Sequence, residues 1–366
     1  MKYLDEYRQR ELIEGQLEMI AARVRGRWTI MEVCGGQTHA ILKHGIDRRL
    51  PENITLLHGP GCPVCVTPAE TIDQAIEIAQ RPEVMLCSFG DMLRVPGAEH
   101  DLLTARAEGA DIRMVYTPLE AVALAKSNPD REVVFFAIGF ETTAPVVATA
   151  VLQAESEGLS NFSILAAQVR IPPAIAAILE MKPRAVDAFL APGHVCTVTG
   201  ADEYVQLVER YRVPIVITGF EPVDLLQGIH SAVDQLERGK AKLENQYERA
   251  VREQGNSLAR ARIEQAFRTV DRSWRGLGII PDSGFALREQ YAGFDAVRRF
   301  RPGASAAAAS DIYCGRVLSG TLKPVECPYF GSKCRPESPV GPCMVSSEGA
   351  CAAYYRYADR RPAIEG

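Results

Sequence analysis

The chain has 366 residues, 47% of them hydrophobic and 24% charged, with a formal net charge of −5. That length exceeds what one hydrophobic core usually serves, so two or three domains are expected. An acidic balance without basic runs interleaved with aromatics gives nucleic-acid binding no electrostatic support. The opening MKYLDEYRQRELIEG is charged, and no window approaches the ~20 apolar residues that cross a bilayer, which predicts a soluble, cytoplasmic protein without a membrane partner.

From Trp28 to about Phe220 one pattern repeats: a short apolar run rich in β-formers, a Gly/Pro-rich turn, then a stretch of helical periodicity. The runs are WTIMEV, NITLLH, EVMLCSF, DIRMVY, EVVFFAIGF, FSILAAQV, VDAFLA and VPIVITGF. Their near-continuous apolarity suits parallel strands covered by helices on both faces. The polar turn Ser127-Asn128-Pro129-Asp130 separates the first four runs from the last four. The expected fold is therefore α/β, with one parallel-sheet domain over 1–126, a second over 127–222, and a helical and irregular metal-organised domain over 223–366. Residues 222 to 270 read as helical hairpins with solvated charged faces, and Ala304 to Ala309 as a linker.

Each turn after a run carries unusual residues, among them Cys34-Gly-Gly-Gln-Thr-His39, Gly59-Pro-Gly-Cys-Pro-Val-Cys65, Phe140-Glu-Thr-Thr143, Pro192-Gly-His194 and Phe220-Glu-Pro222. In open parallel sheets ligands bind at the carboxyl ends of the strands, so these turns together predict a lined cleft. Cys34 precedes two glycines, which allow close approach of a ligand to an exposed thiolate. His39, five residues on, suits an orienting donor, a proton carrier or a metal ligand. Cys62 and Cys65 form a CxxC before Thr67-Pro68-Ala69-Glu70, read as a capping box opening a helix to about Gln80. Thiols beside a helix N-terminus lose protons more readily. Cys87, inside a strand run, reads as a small buried hydrophobe. Glu141, Thr142, Thr143, His194 and Glu221 suit a cleft lining as well as helix capping, and no chemistry is assigned to them.

Ten cysteines in a reducing compartment favour metal ligation or redox chemistry over disulfides. Five lie in the tail, Cys314, Cys327, Cys334, Cys343 and Cys351, with gaps of twelve, six, eight and seven residues. No His follows His230 and short CxxC knuckles are absent there, so an all-thiolate [4Fe–4S] cluster is favoured over zinc. Cys327, Cys334, Cys343 and Cys351 share the Pro/Gly-rich segment and are the expected ligands. Cys314 is expected to stand apart, and its exchange for one of the four stays open.

The strings EVCGGQTH, GPGCPVCVTP, GFETTAP, APGHV, TGFEP, PDSGF and GPCMVSSEGACAAYY, spread over nearly the whole chain, closely resemble the HypD family of hydrogenase maturation factors. The resemblance implies a scaffold for building the Fe(CN)2CO unit of [NiFe]-hydrogenases, working with the small chaperone HypC and receiving cyanide ligands through HypE. It further implies that Cys34 holds the iron jointly with a cysteine of HypC and that His39 assists there. Cys62 and Cys65 would pass electrons to the iron, and the four tail cysteines would hold a [4Fe–4S] cluster as electron store. The alternative class is a [4Fe–4S]-dependent thiol–disulfide reductase acting on a protein disulfide through Cys62 and Cys65. A third is a zinc-organised interaction protein.

Overall fold

A computed structural model of the chain describes residues 5–303 and 311–357; the Ala304 to Ala309 linker lies outside them. The first half runs α1 (Arg10–Arg23), β1 (Trp28–Glu32), α2 (Gly35–Lys43), β2 (Ile54–His58), α3 (Pro63–Val66), α4 (Ala69–Ala79), β3 (Val84–Ser88), α5 (Leu102–Ala107), β4 (Asp111–Met114), α6 (Pro118–Ser127), β5 (Glu132–Ala137), α7 (Ala144–Ser156) and β6 (Phe162–Ala166). It continues with α8 (Ile171–Glu180), β7 (Ala188–Pro192), α9 (Gly193–Thr199), α10 (Asp202–Tyr211), β8 (Ile215–Thr218), α11 (Pro222–Glu237) and β9 (Leu243–Asn245). Then come α12 (Ser257–Ala266), β10 (Phe267–Trp274), β11 (Gly278–Leu287), α13 (Ala296–Phe300), α14 (Asp311–Leu318) and α15 (Ala350–Tyr357). Each of the eight apolar runs contains a strand, and the fold is α/β with two parallel sheets flanked by helices.

The sheets do not divide the strands at residue 127. The first has the order β2-β1-β7-β8-β9 and the second β4-β3-β5-β6. After β2 the chain leaves the first sheet, builds the whole second sheet, and returns at β7 to pair beside β1, with Ile30 opposite Ala188 and Glu32 opposite Leu190. The polar turn at 127–130 merely links α6 to β5 inside the second sheet. Strand pairing satisfies backbone groups across a gap of more than 150 residues, and local composition carries no trace of it.

Three apolar clusters explain why the layers hold. One face of the first sheet packs Ile30, Leu190 and Val216 against Ile20 of α1 and Leu226 and Ile229 of α11. The outer face of the second sheet packs Phe135 and Phe162 against Val147 and Val151 of α7 and Ile263 of α12. The remaining faces share one continuous core, in which Phe189 of the first sheet and Phe136 of the second belong with Cys65, Cys343 and Met344. Truncating a fully buried Phe in such a core costs about 3–5 kcal/mol, so the tail is built into the molecule's main core.

Beyond residue 222 the helical hairpins predicted from composition are only partly present. After α11, β9 adds an edge strand to the first sheet, and α12 leads directly into the antiparallel ribbon β10–β11. The ribbon leaves Arg268, Thr269 and Asp271 exposed, so its charged sequence imitates the solvated face of a helix. The tail contains α14, 3-10 turns at Pro324–Glu326 and Pro342–Met344, and α15. It is pinned to both sheets: Arg48 donates to the Tyr357 carbonyl at 2.7 Å and Arg94 to that of Val345 at 2.8 Å. Among the described residues no helix is long and apolar enough to cross a membrane.

Candidate sulfur site at the sheet switch point

In the first sheet the chain reverses its winding between β1 and β7, and the crevice outside the carboxyl ends there is where open parallel sheets take ligands. Cys34 follows β1 and His194 follows β7, and the Cys34 Sγ lies 3.6 Å from His194 Nδ1. Cys34 is the N-cap of α2 in an extended conformation. Beneath it the buried carboxylate of Glu32 accepts the Cys34 N–H at 2.7 Å, the Thr38 hydroxyl, and His58 Nδ1 at 2.7 Å. Gln37 donates to Thr218 Oγ1 at 2.6 Å and to the Ala191 carbonyl at 3.1 Å, tying α2 to the ends of β7 and β8. A Cβ on Gly61 would stand 2.1 Å from the Cys34 nitrogen and one on Gly35 2.4 Å from Glu348 Cβ, so both glycines are required by close approach.

The thiolate expected to be exposed is instead enclosed: Cys34 is 1% exposed. Burial pushes its thiol well up; N–H groups of Gln37 and Gly36 oppose this, and the carboxylates of Glu32 and Glu348 add to it. Burial also pushes His194 down to about 4, so near neutral pH the pair is a thiol beside a neutral imidazole. His194 is one of five turn residues to which the sequence alone assigns no chemistry. Its one signal was a Pro-Gly-His turn after a strand, which gains meaning only once β7 is known to neighbour β1. His39 faces elsewhere: Nδ1 meets the Ser347 carbonyl at 3.2 Å and Nε2 the Tyr357 hydroxyl at 3.2 Å, so it docks the tail on α2.

Cys62 and Cys65 sit on the next loop, after β2. Cys62 is the N-cap of the four-residue α3, and its sulfur accepts the Cys65 N–H at 3.3 Å. The capping box predicted at Thr67 is not formed: α4 starts at Ala69 with Pro68 as N-cap, the Thr67 hydroxyl donates to the Pro63 carbonyl, and Glu70 accepts from Ser273. The expected ease of thiol deprotonation is also reversed at Cys65. Complete burial pushes its pKa well up, contacts with Cys343 and Cys62 add to the shift, and one turn of helix is too short to offset desolvation. Its Sγ lies 3.8 Å from the Pro342 carbonyl, so the N-terminal pair abuts the tail.

All five tail cysteines line one small pocket, with Tyr313, Val317, Phe330, Val340 and Met344 as its apolar wall. Cys314 does not stand apart; a Cβ on Gly341 would lie 2.2 Å from its sulfur. Cys334 Sγ accepts the Val340 N–H at 3.4 Å. Cys343 joins the two centres: contacts with Cys314 and Cys65 favour its thiolate, contact with Cys351 and burial disfavour it, and the net shift is upward. Among the described residues no three His, Cys, Asp or Glu side chains are spaced to hold a single metal ion. Cys87 is buried in the second sheet and pushed up to about 12 by burial, as a structural thiol should be. Of the residues left without assigned chemistry, Thr143 bonds the Ile138 and Phe140 carbonyls, and Glu221 caps α11 and holds Arg8.

Comparison with known proteins follows the same chain from end to end. A model of the HypD family, described as "Hydrogenase formation hypA family", matches residues 11–358. The chain is 48% identical to the hydrogenase maturation factor HypD of Azotobacter vinelandii, over 100% of this chain and 99% of that one. It is 46% identical to HypD of Escherichia coli, over 98% of each, and 44% identical to HypD of Cupriavidus necator, over 98% of this chain and 97% of the other.

Proposed function

The chain belongs to the HypD family of hydrogenase maturation factors, and on that premise we propose that it is the cytoplasmic scaffold on which the Fe(CN)2CO unit of [NiFe]-hydrogenase is built. Its partners in this reading are a HypC-type small chaperone and a HypE-type cyanide donor. The observation that carries it is the junction of Cys65 with Cys343, which brings the dithiol pair of one end against the sulfur-lined pocket of the other.

The iron is cargo in this account, held by Cys34 and a cysteine of the chaperone. Thiolate ligation releases a proton, and His194 Nδ1, 3.6 Å from the sulfur, is a neutral base within reach of it. Anionic sulfur suits an electron-rich low-spin iron. The Glu32 carboxylate fixes the Cys34 backbone, and His39 secures the tail that closes the crevice. Conversion of the Cys62 and Cys65 thiols to a disulfide yields two electrons and two protons.

Five thiols around an apolar pocket with no His, Asp or Glu in its lining fit a thiolate-bound iron–sulfur cluster. Cys327, Cys334, Cys343 and Cys351 would hold a [4Fe–4S] cluster, with Cys314 beside them as a fifth sulfur. When bound, such a cluster supplies electrons one at a time. Cys34, Cys62 and Cys65 are all enclosed, at 1%, 2% and 0% exposure, so the scaffold reading and the reductase alternative both require the crevice to open to a partner, and it is the Cys34 variant that separates them.

The test is anaerobic co-purification of the chain with its small partner, followed by metal and sulfide analysis and infrared spectroscopy. The proposal expects cyanide and carbonyl stretching bands that disappear in Cys34→Ala while brown colour and acid-labile sulfide remain. Bands that persist in Cys34→Ala, or a fully assembled complex without them, would refute it.

A further inference from the structure

The second sheet carries a cleft that the maturation chemistry leaves unused. It has a volume of about 390 Å³, within the range of small-molecule sites. It lies off the carboxyl ends of β5 and β6, bounded by the start of α8, the turn between α9 and α10, α12, and the β10–β11 ribbon. The motif Phe140-Glu-Thr-Thr143 opens onto it through Glu141.

Glu141 is 1% exposed. Its Oε1 accepts the Ile171 N–H at 2.9 Å, whereas Oε2 is buried and has no hydrogen-bond partner among the described residues. A buried carboxyl oxygen left unmatched is costly enough to call for an explanation. Four arginines line the same cleft. Arg170 is engaged by Glu203 and the Asp282 carbonyl. Arg260 and Arg288 bond only to main-chain carbonyls, those of Gln254 and Glu264, and among the described residues neither they nor Arg268 form a close ion pair with a carboxylate, although Arg268 lies within electrostatic reach of Glu289, which Arg298 already holds. Guanidinium groups left unpaired at a concave surface are the usual means of gripping carboxylate or phosphate in two-point fashion.

We propose that this cleft binds a small organic oxyanion, a carboxylate or a phosphate, gripped by Arg260, Arg268 and Arg288, with Glu141 donating a hydrogen bond to it from Oε2. Burial pushes Glu141 up to about 7, so near neutral pH its carboxyl is protonated for a large share of the time and can donate. The groups facing it from α8, α9 and α10 are Arg170, which favours the ionised form, Glu203, which opposes it, and Cys196 and Tyr204, both held neutral by burial. Asp202 and Glu264 also line the cleft and would repel an extended polyanion, which restricts the ligand to a small one. Phe267 and Phe285 offer an apolar wall for its carbon skeleton.

The test titrates the full-length, anaerobically purified protein with inorganic phosphate and separately with malonate at pH 6.5, against chloride at matched ionic strength, by calorimetry. The proposal expects saturable binding of at least one anion, and which one binds identifies the head group. Arg260→Ala combined with Arg268→Ala should weaken binding by about tenfold or more. Glu141→Gln, which can still donate, should retain binding, and Glu141→Ala should weaken it. Protection of Arg260 and Arg268 from phenylglyoxal by the bound anion, read on the unaltered protein, is independent of whether the variants fold. Absence of saturable binding by either anion, binding that survives loss of both arginines, or absence of protection would overturn the proposal.

Discussion

At the N-terminal sulfur centre Cys34 and Cys62 each cap a helix just beyond a parallel strand, and Glu32, Gln37 and the glycines around them fix the backbone. In the tail, Cys327 and Cys334 sit half-buried between α14 and α15, among 3-10 turns with little repetitive hydrogen bonding. The first region holds its sulfurs because strands and helices hold them. The second has few such supports, and under the proposed cluster reading the bound group would in turn organise the chain. Cys343, in the shared core, stands where the two regimes meet.

The largest expected effect that separates the regimes is on the tail. Cys334→Ser, or treatment with an iron chelator, should expose residues 320–350 to limited proteolysis while the two sheets keep their far-ultraviolet circular dichroism. Cys34→Ala should leave the protease pattern unchanged. Equal sensitivity in both variants would erase the distinction.

A smaller effect probes the backbone support of the first region. Glu32→Ala leaves the Cys34 N–H, the Thr38 hydroxyl and His58 Nδ1 without their buried acceptor and should cost about 3 kcal/mol or more in denaturant unfolding. Glu32→Gln, keeping one acceptor oxygen, should cost less. Similar losses in the two variants would mean that packing, not the acceptor, fixes the loop.

The α/β body also tolerates a group it holds at a cost. Burial pushes Glu141 up to about 7 from the ordinary value of 4.5, so the folded state binds its proton more tightly. The stability this gives is fully present below pH 4.5 and is lost as pH rises through 7. Glu141→Gln should therefore change little at pH 4.5 and, at pH 8, raise stability by up to about 3 kcal/mol, measured as the difference between the two pH values. A variant with the same pH slope as the parent would remove burial as the cause.

Much of this was legible from residues alone. Apolar runs such as EVVFFA announce a strand because both faces are buried, and Cys327, Cys334, Cys343 and Cys351 declare a common site by their clustering, whereas Cys314, expected to stand apart, joins their pocket only in the folded chain. What stayed hidden depends on contacts between distant segments. The return of β7 beside β1 gives His194 its position. Enclosure of Cys34 comes partly from Glu348, over three hundred residues away, so a Gly-Gly turn that reads as open is closed by the tail. The misread capping box has a local cause: Thr67 ends the α3 turn as its C-cap, with its hydroxyl turned back onto the Pro63 carbonyl, so α4 begins one residue later with Pro68 as N-cap. Charged ribbon strands resemble helices in composition, which hid β10 and β11.

The central claim is that the two sulfur centres meet at Cys65 and Cys343, and cross-linking tests it most directly. With Cys62 replaced by Ser and the protein first treated with a chelator, brief diamide oxidation followed by peptide mass spectrometry should recover a Cys65–Cys343 disulfide as the main product. Recovery of Cys65 as a free thiol, while tail cysteines link only to one another, would contradict the account.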